Sequence, residues 1–234
     1  MVKETNLQDK HVTLFTPDAA SDGLPLVVLN TYQDEGRQVW NACRKLSCPS
    51  FALVSIGRVN WDDDMTPWPI PPISDKDTPC GGLAAAYLET LTGRIIPWAR
   101  ENMTCEPVYQ AIAGYSLAGL FALYCLYRTD IFSRAASASG SLWYPDFLDY
   151  ARQNRMPRIP ERVYFSLGDR ESHTRNKFLA PVEERTREIE RYFSGIGIQT
   201  VYESNPGDHY HDTIYRMAKG IVWILKEENG NEME

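Results

Sequence analysis

Apolar runs of strand length alternate with segments of helical pattern along most of this chain, and few architectures accept that alternation. The runs are HVTLF (His11–Phe15), LPLVVLN (Leu24–Asn30), FALVSIG (Phe51–Gly57), YQAIAGY (Tyr109–Tyr115), RAASASG (Arg134–Gly140), RVYFSLG (Arg162–Gly168) and IQTVYES (Ile198–Ser204). Several are apolar on both faces, as strands buried in a parallel sheet must be. Helical patterns intervene at 36–46, 83–103, 117–127, 182–193 and 212–226. The second of these is expected to bend or break at Pro97, which lacks a backbone donor. The third is apolar nearly all round and should be buried. The fourth turns Glu183, Glu184, Arg185, Arg187, Glu188 and Arg191 to water and Val182, Ile189 and Phe193 to a sheet. Strand, helix, strand repeated in this way predicts a doubly wound, mostly parallel α/β sheet with helices on both faces. With 234 residues, no internal repeat and no Gly/Ser linker, the chain reads as a single domain over 1–234, fraying in the tail 227–234.

The net charge of -7 invites neither nucleic acid nor an anionic membrane surface. MVKETNLQDK has no apolar core of the kind a signal peptide needs, and no run of about 18 apolar residues predicts a membrane span. The five cysteines, Cys43, Cys48, Cys80, Cys105 and Cys125, are odd in number and form no CxxC, so free thiols in a cytoplasmic setting are expected. Cys125 lies in the apolar helix and reads as a small core residue.

One segment breaks the alternation. Arg58–Gly82 carries Pro67, Pro69, Pro71, Pro72 and Pro79, Trp61 and Trp68, and the acids Asp62, Asp63 and Asp64. It is too rich in proline for regular structure. Long loops of this kind border active sites; a rigid surface loop packed down by its tryptophans is the alternative.

GYSLAG, at Gly114–Gly119, joins an apolar strand pattern to an apolar helix pattern. It holds most of a nucleophile elbow, G-x-S-x-G, in which a serine sits at the tip of a sharp strand-to-helix corner. Residues two before and two after the serine approach closely, so both must be small. Gly114 fills the first place and Ala118, a mild departure, the second. The N–H groups and dipole of the following helix favour negative charge developing beside Ser116.

A serine needs a base, and the base a carboxylate, in the chain order Ser, acid, His. His209 follows the last strand pattern in ESNPGDHYHD, presented by the Pro206–Gly207–Asp208 turn, and is preferred over His211, which sits nearer the helix start. A metal site of His209, His211 and Asp212 is the competing reading, without a third distant ligand. The acid should follow RVYFSLG, where Asp169 and Glu171 are both available. Oxyanion donors are expected from the backbone N–H of Leu117 and of Tyr32, with Thr31 close behind. Trp61, Trp68, Trp143 and Tyr144 either line the pocket or simply pack.

These segments together resemble the α/β-hydrolase esterases of the enterochelin (ferric siderophore) esterase-like and esterase D-like group. GYSLAGLFALYCLY resembles the group's elbow and helix, SASGSLWY its next strand and loop, YFSLGDRESHTRN its acid segment and YESNPGDHYHD its terminal histidine loop. The resemblance implies Ser116 as nucleophile and His209 as base. It implies Glu171 rather than Asp169 as the acid, at the last place of G-x-x-[DE], and Tyr32 at the second oxyanion amide. It implies a serine hydrolase acting on a small-molecule ester, with no metal or organic cofactor. LNTYQ departs from the HGGG pattern, and no arginine cluster marks a site for an anionic siderophore. Acyl transfer with the same residues, or a hydrolase-like binding protein without activity, are the alternatives.

Overall fold

The computed structural model describes residues 1–18 and 23–226; the tail expected to fray, 227–234, lies outside the described residues. These form one eight-stranded sheet in the order β1-β2-β4-β3-β5-β6-β7-β8. The strands are β1 (Val2–Leu7), β2 (Lys10–Phe15), β3 (Leu26–Asn30), β4 (Ala52–Gly57), β5 (Gln110–Tyr115), β6 (Phe132–Ala138), β7 (Arg162–Gly168) and β8 (Gln199–Asn205). Only the β1–β2 and β2–β4 pairings are antiparallel. This is the mostly parallel α/β sheet that the alternation predicts, in the α/β-hydrolase form that the resemblance implies. Strand β1 carries no apolar signal, because as an edge strand it is nowhere fully buried. It is held by the hairpin turn at Gln8 and Asp9, both at positive φ.

In β3, Leu26 and Val28 enter one core while Val27 and Leu29 enter the other. That two-sided burial is why the strand reads as a continuous apolar run. Helices α1 (Gly36–Lys45) and α8 (Thr213–Leu225) cover one face of the sheet. The other face carries α3 (Ala84–Thr90), α4 (Ile96–Asn102), α5 (Leu117–Arg128), α6 (Phe147–Gln153) and α7 (Val182–Gly195). Where a bend or break was expected at Pro97, the α-helical pattern is interrupted just before it: a π turn, Leu91–Ile95, stands between α3 and α4, and Pro97 lies in the first turn of α4.

The segment Arg58–Gly82 is more regular than its prolines imply. It holds the short helix α2 (Trp61–Asp64) and an antiparallel bridge between Ile70 and Cys80. The three acids account for the first of these. Asp64 accepts the Asn60 N–H and pairs with Lys10 Nζ at 2.6 Å, Asp63 accepts from Asn60 Nδ2, and Asp62 accepts from Thr78 Oγ1.

The corner between β5 and α5 is the tightest point of the fold. Ser116 has φ 57° and ψ -124°, a left-handed-side conformation that a non-glycine residue adopts only under constraint. A Cβ on Gly114 would lie 2.0 Å from the Ala118 carbonyl oxygen and 2.1 Å from its carbon, both backbone atoms that cannot step aside. We expect Gly114→Ala to destabilise the protein by about 1–3 kcal/mol or more in urea unfolding. Gly93→Ala, whose Cβ meets nothing within 4 Å, should be neutral or stabilising.

Candidate active site

Because β3 to β8 run parallel, their carboxyl ends share one edge, and the loops leaving that edge meet there. The corner between β5 and α5 brings Ser116, the loop after β7 brings Glu171 and that after β8 brings His209. His209 Nε2 lies 3.0 Å from Ser116 Oγ, and its Nδ1 lies 2.8 Å from Glu171 Oε2. An ionised carboxylate only accepts hydrogen bonds, so Nδ1 carries the imidazole proton and Nε2 is left to accept from the Ser116 hydroxyl.

Asp169 stands elsewhere. Its Oδ1 accepts the Gly207 N–H at 2.8 Å, while the Gly207 carbonyl accepts from Arg170 N–H at 3.2 Å, so Asp169 stitches the β7 loop to the histidine turn. Gly207 has φ 99°, which favours glycine. His211 turns away to Asp212 at 3.2 Å. Both ring nitrogens of His209 are occupied by Ser116 and Glu171, so the His209, His211 and Asp212 grouping does not form. Among the described residues no three His, Cys, Asp or Glu side chains are placed to hold a metal ion.

The N–H of Thr31 continues the sheet ladder to the Ile56 carbonyl at 2.9 Å, which removes Thr31 as an oxyanion donor. The Tyr32 N–H has no partner among the described residues. The Leu117 N–H is in the first turn of α5, where no intrahelical acceptor exists. Both residues line the cavity beside Ser116.

A model of the Esterase family, described as "Putative esterase", matches residues 20–217. The chain belongs to this esterase family. An uncharacterized protein of Bacillus subtilis, YbbA, is 26% identical over 238 residues, 95% of each chain. Among solved structures, an IroE-like serine hydrolase from Shewanella oneidensis has a TM-score of 0.77 at 14% identity, over 96% of this chain and 79% of that one. The siderophore hydrolase EstA from Aspergillus nidulans has a TM-score of 0.74 at 18% identity, over 96% and 93%. The BES protein from Bacillus cereus has 0.73 at 15%, over 97% and 96%. At such identities the structures establish the shared fold, and the family match agrees with the resemblance read in the sequence.

The esterase's cavity has a volume of about 870 Å³ and is walled by Tyr32, Trp61, Trp143 and Tyr210, with Ile73 and Leu179. Trp61 meets Tyr32 edge-on at 5.1 Å. Two of the expected pocket residues are not in the wall. Tyr144 is 2% exposed and its hydroxyl donates to the Trp68 carbonyl at 2.6 Å, while Trp68 Nε1 donates to the Pro145 carbonyl at 3.1 Å. They pack with Phe147 and Tyr150 behind the cavity and tie the proline-rich loop to the segment after β6. The loop itself does border the site, through Trp61, Asp62, Pro71, Ile73, Lys76, Asp77, Thr78 and Cys80. None of the helices among the described residues is long and apolar enough to cross a membrane.

Sequence reading missed the residues that surround the Glu171 carboxylate. Ser139 Oγ donates to Glu171 Oε1 at 2.7 Å, Gly168 N–H donates to the same oxygen at 2.6 Å, and Arg216 Nη1 approaches it at 3.1 Å. Ser141 Oγ lies 3.3 Å from Ser116 Oγ. Nothing in the local pattern marks them: Ser139 directly follows a buried strand, and Arg216 is one of two cations in its helix, with Lys219. Burial pushes the Glu171 carboxyl up, but the His209 hydrogen bond and charge, with the Gly168 and Ser139 bonds, outweigh it and hold the group below its ordinary 4.5. A carboxyl lowered by folding stabilises the fold above its unfolded pKa, and that contribution disappears as pH falls through the folded value. Glu171→Gln should therefore be less stable than wild type at neutral pH by roughly 3–5 kcal/mol, since it also strands the Arg216 charge. The gap should narrow below about pH 4 in urea unfolding.

Proposed function

We propose that this esterase cleaves carboxylic esters through an acyl-enzyme, with Ser116 as nucleophile, His209 as base and Glu171 as the acid that orients it. The observation that carries the reading is the unbroken run of contacts from Ser116 Oγ to His209 at 3.0 Å and on to Glu171 at 2.8 Å, set on a strained strand-to-helix corner inside a cavity.

The geometry supports the following steps. Ser116 Oγ bonds to the ester carbonyl carbon as its proton passes to His209 Nε2. The oxyanion lies between the N–H groups of Leu117 and Tyr32, and the α5 dipole favours its charge. Collapse breaks the bond to the alkoxy oxygen, which leaves with the proton from His209. A water then loses its proton to His209, adds to the acyl carbon and releases the carboxylic acid, and the proton returns to Ser116. Glu171 supports the imidazolium at each stage. Tyr32 and Tyr210 are 62% and 86% exposed at the mouth, an open rim that admits water and favours hydrolysis over transfer to another alcohol.

Siderophore hydrolase is the name borne by some of the structural neighbours, and an ester of that kind is the second reading. The charges on the wall outside the Ser116–His209–Glu171 group are Glu35, Asp62 and Asp77 against Lys76. With its aromatic sides, such a wall supports a neutral substrate with an apolar or aromatic group better than a strongly anionic one.

Ser116→Ala should abolish both ester hydrolysis and labelling by a fluorophosphonate probe; retained labelling would refute the nucleophile. His209→Ala should cost on the order of 10³-fold or more in kcat, and His211→Ala only a few-fold. Glu171→Gln should cost on the order of 10²-fold or more, and Asp169→Asn far less. A neutral aryl ester should be turned over with higher kcat/KM than its carboxylate-bearing analogue, the difference shrinking as salt is raised. The opposite preference would favour the siderophore-like reading.

A further inference from the structure

The Arg216 side chain is 1% exposed and lies beneath the Ser116–His209–Glu171 group, at the start of α8. Its guanidinium touches elements from four strand ends at once. Nη1 is 3.1 Å from Glu171 Oε1 after β7, 3.3 Å from Ser139 Oγ after β6 and 3.2 Å from the hydroxyl of Tyr115, the last residue of β5. Nη2 donates to the Pro206 carbonyl, after β8, at 2.7 Å. The Tyr115 hydroxyl in turn donates to the His209 carbonyl at 2.7 Å. The space is made by Gly168, where a Cβ would lie 2.9 Å and 3.0 Å from the two terminal guanidinium nitrogens and 2.2 Å from the Gly207 carbonyl.

The donors around Glu171 are distributed unequally. Oε1 takes the Gly168 N–H, the Ser139 hydroxyl and Arg216, while Oε2 faces His209. A glutamate carries one more rotatable bond than an aspartate and swings more freely. Three donors on a single oxygen remove that freedom and leave the other oxygen aimed at the imidazole.

We propose that Arg216 is the positioning residue of this site: it fixes the carboxylate of Glu171 and the backbone of the histidine turn in one geometry, so that Oε2 holds His209 in line with Ser116. The proposal rests on the hydrolytic reading above and extends it. Arg216 does not reach the cavity and touches no substrate. A lysine in its place keeps the charge but carries its donors on one nitrogen, so it cannot reproduce the two-nitrogen fork that spans Glu171 and the Pro206 carbonyl.

The experiment compares wild type, Arg216→Lys, Glu171→Gln and the double variant in steady-state hydrolysis of a neutral aryl ester, with thermal unfolding by circular dichroism. Arg216→Lys should remain folded at the assay temperature and keep KM within about two-fold. Its kcat should fall on the order of 10²-fold, the cost of a small misplacement. In the Glu171→Gln background the same change should cost far less, since the residue acts largely through that carboxylate. The proposal is overturned if Arg216→Lys turns over at the wild-type kcat, or if its loss lies in KM. It is overturned equally if the two substitutions add independently, or if Arg216→Lys does not fold, which would make Arg216 a scaffold residue only. Ser116→Ala, run alongside, separates the two readings. An active Ser116→Ala sinks the nucleophile assignment, whereas an inactive Ser116→Ala beside a fully active Arg216→Lys sinks only this proposal.

Discussion

The approach of Gly114 to the backbone of Ala118 is the contact on which the rest of the site depends. It lets β5 pass into α5 without a connecting loop and forces Ser116 into a conformation that a free chain would avoid. The strain is supported from below, because α5 is buried on all sides and cannot rotate to relieve it. The hydroxyl consequently stands at the sheet edge with its own helix behind it. The other loops need only supply an imidazole and a carboxylate at fixed distances.

Supplying the carboxylate creates an electrostatic difficulty. The Glu171 side chain is 4% exposed, and a buried anion without compensating partners would be expected to take up a proton. The fold answers with a hydroxyl, a backbone N–H and a buried cation, all on the oxygen away from His209. The carboxylate stays ionised, and the imidazole keeps the tautomer in which Nε2 can accept a proton. The second carboxylate of the same loop, Asp169, is spent on the Gly207 N–H, so two acids two residues apart have separate structural tasks.

The positions that govern the fold were legible in the sequence because each one obeys a local rule. Runs such as LVVLN are apolar on both faces since both faces are buried, and the small residues of GYSLAG mark a backbone approach that admits no side chain. Where contacts are long-range the sequence is silent. Strand β1 shows nothing because its pairing with β2 is its main support, and Arg216 looks like any helix cation until the sheet brings four loop ends around it. Trp68 and Tyr144 were ambiguous for the same reason: aromatic composition says that a side chain will be buried, but only the packing decides on which side of the wall. Pro97 signalled an interruption of the helix, but neither composition nor spacing records that a widened turn just before it would provide that interruption.

The proline-rich segment is clamped at its base by the Trp68–Tyr144 exchange and closed on itself where Ile70 meets Cys80. Asn176 Nδ2 adds a tether from the opposite loop to the Ile73 carbonyl. The tip between those fastenings, 71–79, forms part of the entrance yet supports neither the sheet nor the reacting groups. The arc therefore shapes what reaches the cavity from one side of its mouth, while the contacts that aim Ser116, His209 and Glu171 at one another lie outside it.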